Sequence, residues 1–165
     1  MSAQSQAVDG KEVSRSTVVH APPQQVWALV SDLPGMGRFS PENRGGSWAR
    51  GATGPAVGAV FRGRNASGRR RWATRAEVVV CEVGRSFAFD VSARGLAVAR
   101  WRYDVEPVEQ GCRLTETWTD RRGALMRLIG RTVTGVGDRR SFAAESIEHT
   151  LERVRAAAES DAGRV

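Results

Sequence analysis

The feature that most constrains the fold is a long amphipathic segment near the end of the chain, residues 138–160. Its small or apolar residues recur at spacings of three and four, which places them on one side of a helix. They are Ala143, Ala144, Ile147, Leu151, Val154 and Ala158. No proline or glycine interrupts the segment, so about 23 residues would extend about 34 Å. A stripe of that length requires one large apolar surface from elsewhere in the chain.

The middle of the chain supplies that surface as β-strands. Residues 13–20 form a first predicted strand, and between residues 42 and 120 the hydrophobic period becomes two. Further strands are predicted around Trp48 and over residues 57–64, 71–83, 86–91, 97–108 and 112–119. The turns between them are too short for parallel crossovers, so we expect an antiparallel meander of about seven strands.

Two short helical pieces follow the first strand. Ala21-Pro22-Pro23 ends that strand, and residues 23–31 can begin a helix because proline is tolerated in a first turn. Residues 32–35 break this helix, and residues 36–39 form one more turn. We therefore expect a flexible segment over residues 1–12, one α+β domain over residues 13–160 and a short tail over 161–165.

Alternation along the strands assigns an apolar and a charged face to the sheet. The apolar face contains Ala59, Phe61, Trp72, Thr74, Ala76, Val78, Val80, Phe87, Phe89, Val91, Trp101, Tyr103, Val105, Cys112, Leu114, Glu116 and Trp118. Arginines and acids alternate with them on the other face. A β-bulge would reverse these assignments over part of a strand.

The net charge of +7 comes almost entirely from arginine, because Lys11 is the only lysine among 25 basic residues. Such a balance can mark a nucleic-acid-binding protein. Here the arginines are scattered and interleaved with acids, which is typical of a solvated sheet face. We expect no specific nucleic-acid partner, and the alternative of an interaction protein or regulator acting through this face stays open.

Targeting and metal signals are lacking in the sequence. The longest apolar runs are too short to cross a bilayer, and the first residues do not resemble a signal peptide. The expected location is the cytoplasm, without stable membrane insertion. Cys81 and Cys112 form no CxxC pair, so we expect neither a disulfide framework nor a metal site, and no cofactor motif is present.

The order of one strand, two short helices, a six-stranded meander and a long helix resembles the START-like superfamily, also called SRPBCC or helix-grip proteins. Within it the chain is similar to the bacterial polyketide cyclase/dehydrase-like group over residues 13–159. The residues that carry this resemblance are Ala21-Pro22, Val26-Trp27, Asp32-Leu33, Trp48, Val57-Gly58, Phe61, Trp101, Tyr103, Glu116 and Trp118. The resemblance implies a curved sheet around the C-terminal helix and a cavity for a hydrophobic small molecule.

The candidate ligand-binding residues lie on the predicted apolar face and the helix stripe. They are Phe61, Trp72, Thr74, Phe87, Phe89, Trp101, Tyr103, Glu116, Trp118, Arg140, Ile147 and Leu151. The alternative is that the aromatic side chains only close a dry core.

Glu116 is the polar group of interest on this face, because a buried carboxylate must be protonated, paired or hydrogen-bonded. Arg140 is a possible partner, and Tyr103 is a second polar candidate. Glu116 is either a ligand contact or acid–base group, or else a structural ion pair or an edge residue in water.

Residues 123–136 form a possible short amphipathic helix between Arg121-Arg122 and Arg139-Arg140. The segment either closes the cavity as a lid or packs against the domain, and contact with a membrane surface is a third possibility.

Three function classes follow. The leading hypothesis is a protein that binds a lipid or a polyketide-like aromatic. The second is a polyketide cyclase or dehydratase that uses Glu116 and Tyr103 in proton transfer. The third is the regulator acting through the arginine-rich face. The oligomeric state is not predicted.

Overall fold

The computed structural model describes residues 11–162, which form a seven-stranded antiparallel sheet and four helical segments. The strand order is β1-β7-β6-β5-β4-β3-β2, so the meander from β2 to β7 is extended by β1 at one edge. The strands are β1 Glu12–Val19, β2 Asn43–Ala49, β3 Val60–Ser67, β4 Arg70–Glu82, β5 Ser86–Ala93, β6 Leu96–Val108 and β7 Gly111–Asp120. The predicted α+β fold with about seven antiparallel strands is confirmed.

Helix α1, Pro23–Ser31, begins at the predicted proline and packs Trp27 against the sheet. The Trp27 ring meets Phe87 edge-on at a centroid distance of 6.3 Å, and its Nε1 donates to the Ser86 carbonyl at 3.2 Å. The next segment corrects the prediction. A 3₁₀ helix, Leu33–Arg38, begins where a break was expected. Pro34 is tolerated in its first turn, and the Asp32 side chain caps it by accepting from the Gly35 N–H.

The β2–β3, β4–β5 and β5–β6 pairs each contain a register shift, and the bulge in β4 changes a predicted inward position. The register with β5 shifts between Val78 and Val80, after which Val80 pairs with Ala88 and Cys81 pairs with Phe87. Val80 therefore lies on the outer face, and its predicted inward position is wrong because the extra residue reverses the alternation. The β5–β6 hairpin closes tightly through Arg94 and Gly95, whose positive φ angles of 51° and 78° match a two-residue turn of the primed type.

Helix α3, Arg139–Ala162, lies mainly along β1 and also contacts β7 and α1. Its buried stripe contains the predicted Ala143, Ile147, Leu151, Val154 and Ala158, whereas Ala144 is only half-buried. Ser146 and Thr150 are buried as well. The buried side is therefore rotated from the predicted stripe toward these two polar residues.

Helix α2, Ala124–Thr134, contacts β4 and β6 and occupies the segment for which a lid or a packed helix was predicted. None of the helices in the part of the chain described is long and apolar enough to cross a membrane. Most of the predicted flexible segment 1–12 and of the tail 161–165 lies outside the described residues. Within the described residues, β1 begins at Glu12 and α3 continues to Ala162.

Candidate functional site

The inner face of the sheet, which α1 and α3 cover, divides into two regions. The closed region contains Phe87, Tyr103, Leu114, Glu116 and Trp118, all buried. The open region contains Trp72, Thr74, Val91 and Trp101, which face the same side but are only half-buried. The regions meet in one cross-strand row, where Trp101 pairs with Trp118 on one side and with Phe89 on the other.

A tyrosine–carboxyl pair lies in the closed region. Tyr103 in β6 and Glu116 in β7 are direct cross-strand partners, so strand register brings them together. The Tyr103 hydroxyl donates a hydrogen bond to Glu116 Oε1 at 2.9 Å. Glu116 is 1% exposed, and its Oε2 is buried without a hydrogen-bond partner among the residues that the structure describes. The site thus combines one satisfied and one unsatisfied carboxyl oxygen.

Burial determines the protonation of this pair. It raises the pKa of Glu116 to about 8, although the hydrogen bond from Tyr103 acts in the opposite direction. Burial and the neighbouring Glu116 also raise the pKa of the Tyr103 hydroxyl well above its usual value. Glu116 is therefore predominantly neutral at pH 7. Because Oε1 already accepts from Tyr103, a proton on Oε2 makes this oxygen a hydrogen-bond donor.

Arg140 does not pair with Glu116, which corrects the expected partner. Arg140 is exposed at the start of α3, where its backbone N–H bonds the Asp138 side chain. Arg140 lies in the first turn of α3, where its side chain is exposed. Tyr103 supplies the hydrogen bond to Glu116 instead.

Arg139 is the arginine of α3 that reaches the open region. Its Nη1 donates to both carboxylate oxygens of Glu42 at 3.1 Å. Its guanidinium lies 6.0 Å from the centre of the Trp72 ring and 5.4 Å from that of Phe142. Burial raises the pKa of Glu42, while the charge and hydrogen bonds of Arg139 oppose the shift. Sequence spacing did not identify Arg139, because Glu42 and Trp72 come from distant parts of the chain.

The other predicted ligand residues lie on the inner face of the sheet or on the buried side of α3. Phe61 and Phe89 are buried in the same core as Ile147 and Leu151, and Trp72 and Thr74 border the open region. The Thr74 hydroxyl accepts from Asn65 Nδ2 at 3.0 Å, a contact that the sequence did not suggest. Eleven of the twelve candidate positions are therefore buried or half-buried, whereas Arg140 is exposed.

Two open grooves lie away from Glu116. One of about 350 Å³ runs between α1, β2 and the β2–β3 loop, with Trp27, Ser31, Trp48 and Pro55 in its lining. The other, of about 200 Å³, follows the free edge of β1 beside α3, with Arg15 and Glu148 at its rim. Around Glu116, apolar side chains pack in one buried cluster. A ligand would reach Glu116 only if side chains or a covering helix moved.

The outer face of the sheet carries arginines that contact acids of the same face. Arg75 bonds Glu77, Arg100 bonds Asp90 and Arg102 bonds Asp104, each at 2.7 Å. Across β6 and β7, Arg113 lies 3.9 Å from Glu106. These salt bridges partly neutralise the positive charge of the outer face, which is the surface that a nucleic acid would contact.

Comparison with known proteins gives a family and a fold. The sequence profile described as "Polyketide cyclase / dehydrase and lipid transport" matches residues 11–159. No curated protein matches the chain. Among solved structures, the Polyketide_cyc-like protein Cgl2372 from Corynebacterium glutamicum is 32% identical, with 94% of this chain and 96% of that chain covered and a TM-score of 0.65.

Two more distant structures share the fold. The di-domain ARO/CYC StfQ from the steffimycin biosynthetic pathway is 14% identical with a TM-score of 0.71, covering 92% of this chain and 51% of that chain. A START superfamily protein from Mycobacterium smegmatis is 16% identical with a TM-score of 0.68, covering 92% and 99%. At these identities the likeness concerns the fold alone, and it confirms the helix-grip architecture.

Proposed function

Because the chain belongs to the polyketide cyclase/dehydrase and lipid transport family of the START-like superfamily, we propose that it binds a hydrophobic small molecule between the sheet and the C-terminal helix. The ligand class is a lipid or a polyketide-like aromatic. The observation that carries the proposal is the buried Oε2 of Glu116, which has no hydrogen-bond partner within residues 11–162 and lies on an otherwise apolar, largely aromatic inner face.

An unsatisfied buried polar atom costs about 1–3 kcal/mol, which favours a functional role for this oxygen. Neutral Glu116 can donate from Oε2 to a carbonyl or hydroxyl oxygen of a ligand while Oε1 remains bonded to Tyr103. A few polar groups in an apolar site are typical of small-molecule binding. The half-buried Trp72, Thr74 and Trp101 mark the side from which the ligand enters.

The proposal is tested by a screen of fatty acids, sterols and aromatic polyketides. A ligand that fills the inner face should change tryptophan emission, because Trp101 and Trp118 are neighbours of the Tyr103–Glu116 pair. It should also raise the melting temperature with increasing occupancy. Glu116→Leu, which removes the donor, should weaken binding, whereas Arg140→Gln on the exposed surface should not. If no compound of the panel changes emission or melting, ligand binding by this face is rejected.

Catalysis by a cyclase or dehydratase is the second candidate, and the Tyr103–Glu116 hydrogen bond favours it. A neutral carboxyl group with a pKa of about 8 is suited to general-acid catalysis near neutral pH. It could protonate a substrate carbonyl or a departing hydroxyl, with Tyr103 stabilising the resulting carboxylate. Glu116→Gln would then retain substrate binding and lower turnover of a polyketide substrate by about 10²-fold or more. Equal turnover by both proteins would remove Glu116 from catalysis.

Nucleic-acid binding through the outer face remains a third and weaker candidate, since four of its arginines lie beside acids. We expect weak binding that disappears at moderate salt. A sequence-selective complex that persists at ~0.2 M salt would contradict this expectation.

A cytoplasmic location is also proposed, and the free thiols of Cys81 and Cys112 are compatible with a reducing compartment. Fractionation of the producing cells would test it.

A further inference from the structure

Helix α2 turns its most apolar side away from the domain. Leu125, Leu128 and Ile129 share one helix face and are 60%, 74% and 38% exposed. Among the α2 residues whose side chains the structure describes, those more covered are Met126, which is half-buried, and Thr134, which is buried. This is the reverse of the usual arrangement for a surface helix, in which the apolar stripe faces the core. Adjacent exposed leucines of this kind indicate an interaction surface.

The position of α2 in the fold adds positive charge to this surface. The helix follows the end of β7, and its last turn is tied to the β3–β4 hairpin by Arg70, whose Nη1 donates to the Thr132 carbonyl at 2.8 Å. The antiparallel topology brings the β3–β4 and β5–β6 hairpin tips to this same end of the sheet. These tips carry the exposed Arg69, Arg71 and Arg94, together with Leu96.

The acids near this end are largely engaged. Asp90 bonds Arg100 and Arg121, Asp120 bonds Arg122, and Glu42 bonds Arg139. Asp138 caps the start of α3 through Ser141. By contrast, Arg69, Arg71 and Arg94 form no salt bridge with any residue in the range 11–162. The end of the molecule that carries α2 thus combines exposed apolar side chains with arginines that have no acidic partner.

We infer that this end of the molecule docks on an anionic phospholipid bilayer, with Leu125, Leu128 and Ile129 at the boundary between headgroups and acyl chains. The exposed arginines of the two hairpin tips then lie at the lipid phosphates. An amphipathic helix with a basic border binds membranes in this way, by buried apolar area together with attraction to anionic lipid. The net charge of +7 opposes contact with a second copy of this chain, which would carry the same basic surface.

The inference does not rest on the proposed ligand site, because docking is measured with the protein alone. The chain offers a matched control at the opposite end of the sheet. Val57 and Val83 are 68% and 70% exposed, but they lie in the β2–β3 and β4–β5 connections, far from α2. Arg85 and Arg155 are exposed arginines outside the α2 end and serve as the charge control.

The experiment is sedimentation of the full chain with vesicles of pure phosphatidylcholine or of equimolar phosphatidylcholine and phosphatidylglycerol. We expect partition onto the anionic vesicles to exceed that onto neutral ones by about tenfold or more at low salt, and to fall as salt rises. Leu125→Ser with Leu128→Ser should lower partition by about tenfold or more, since two largely exposed leucines lose their burial in lipid. Val57→Ser with Val83→Ser should leave it unchanged.

The charge is tested in the same assay. Arg69→Gln with Arg71→Gln should lower partition onto anionic vesicles by about tenfold, and Arg85→Gln with Arg155→Gln should have little effect. Because all eight positions are exposed, melting curves serve as the check that each variant folds. The inference is overturned if the chain does not partition onto anionic vesicles, or if the leucine variant partitions like the wild type. A dimer in light scattering that the leucine changes dissociate would assign the face to self-association instead.

Discussion

The closed and open regions of the inner face share strands β5 and β6 but differ in how completely the helices cover them. In the closed region, Phe87, Leu114 and Glu116 are at most 1% exposed beneath α1 and α3. In the open region, Trp72 and Trp101 have comparable apolar bulk and yet remain half-buried. Helix α3 presents a long apolar stripe to the sheet, whereas Leu125, Leu128 and Ile129 of α2 are exposed.

The difference teaches that stability and access are assigned to separate parts of one sheet. The closed region buries its large side chains almost completely. Burial of apolar surface is the main favourable contribution to the free energy of folding. The open region lacks part of that gain, because Trp72, Thr74 and Trp101 remain half-buried. This division predicts unequal effects for substitutions that are chemically similar.

The largest effect is expected in the closed region. Phe87→Ala should lower the free energy of unfolding by about 3–5 kcal/mol, because Phe87 is fully buried beside Trp27 and Phe89 and would leave a cavity. Trp72→Ala in the open region should cost clearly less, although it removes a larger side chain. Denaturant unfolding of both variants measures the difference, and equal costs would contradict the division into two regions.

A second prediction concerns the pH dependence of stability. The pKa of Glu116 is about 8 in the folded protein and 4.5 in the reference state. Between these values the unfolded chain has lost this proton and the folded chain retains it. The contribution of Glu116 to the free energy of unfolding is therefore greatest below about pH 4.5. It decreases by about 1.4 kcal/mol per pH unit up to about pH 8.

Glu116→Gln removes this titration, so the stability of the variant relative to the wild type should rise from pH 5 to pH 8 by a few kcal/mol. Unfolding free energies of both proteins across that range give the comparison. A constant difference at all pH values would mean that Glu116 ionises in the folded protein much as it does in the unfolded chain, and the closed region would then admit water.

Much of the fold could be predicted from the sequence because its determinants are local. The spacing of apolar residues in α3, the turn residues between strands and Pro23 at the start of α1 each act within a few positions. The bulge at Val78–Val80 could not be located, since it depends on which residues of β4 and β5 pair. The sequence places a break at residues 32–35, but Pro34 is tolerated in the first turn of the 3₁₀ helix Leu33–Arg38.

The site could be predicted only in part, because its contacts depend on which distant residues pair. Parity placed Tyr103 and Glu116 on one face, but their direct pairing is a matter of strand register. The choice of Arg139 over Arg140 depends on the rotation of α3, which buried Ser146 and Thr150 decide together with contacts to Glu42 and Trp72. Such relations join distant parts of the chain and leave no local signal.

A third prediction tests the Tyr103–Glu116 pair in the closed region. Tyr103→Phe keeps the ring and removes the only hydrogen bond that the structure gives the Glu116 carboxyl among the described residues. We expect a loss of about 1–3 kcal/mol, because a second buried oxygen becomes unsatisfied. The hydrogen bond lowers the pKa of Glu116, so its removal should raise that pKa further and extend the loss of stability to higher pH. The free energy of unfolding is measured from pH 6 to pH 9 for both proteins. If the hydroxyl did not bond Glu116, the decrease in this free energy would end at the same pH in the variant as in the wild type.

The smallest effect is expected in the open region, where adjacent arginines of α3 provide an internal control. Arg139→Gln removes the charge that bonds both oxygens of Glu42 and lies over Trp72. The Arg139 and Glu42 side chains are 17% and 19% exposed, so the cost should fall between those of exposed and fully buried pairs, at about 1–2 kcal/mol. Arg140→Gln removes the same charge from an exposed position and should change stability by less than about 0.5 kcal/mol. Because Arg139 covers the face of Trp72, its loss should also shift tryptophan emission, and Arg140→Gln should not. Equal unfolding free energies and equal emission for the two variants would show that α3 does not close over the open region at Trp72.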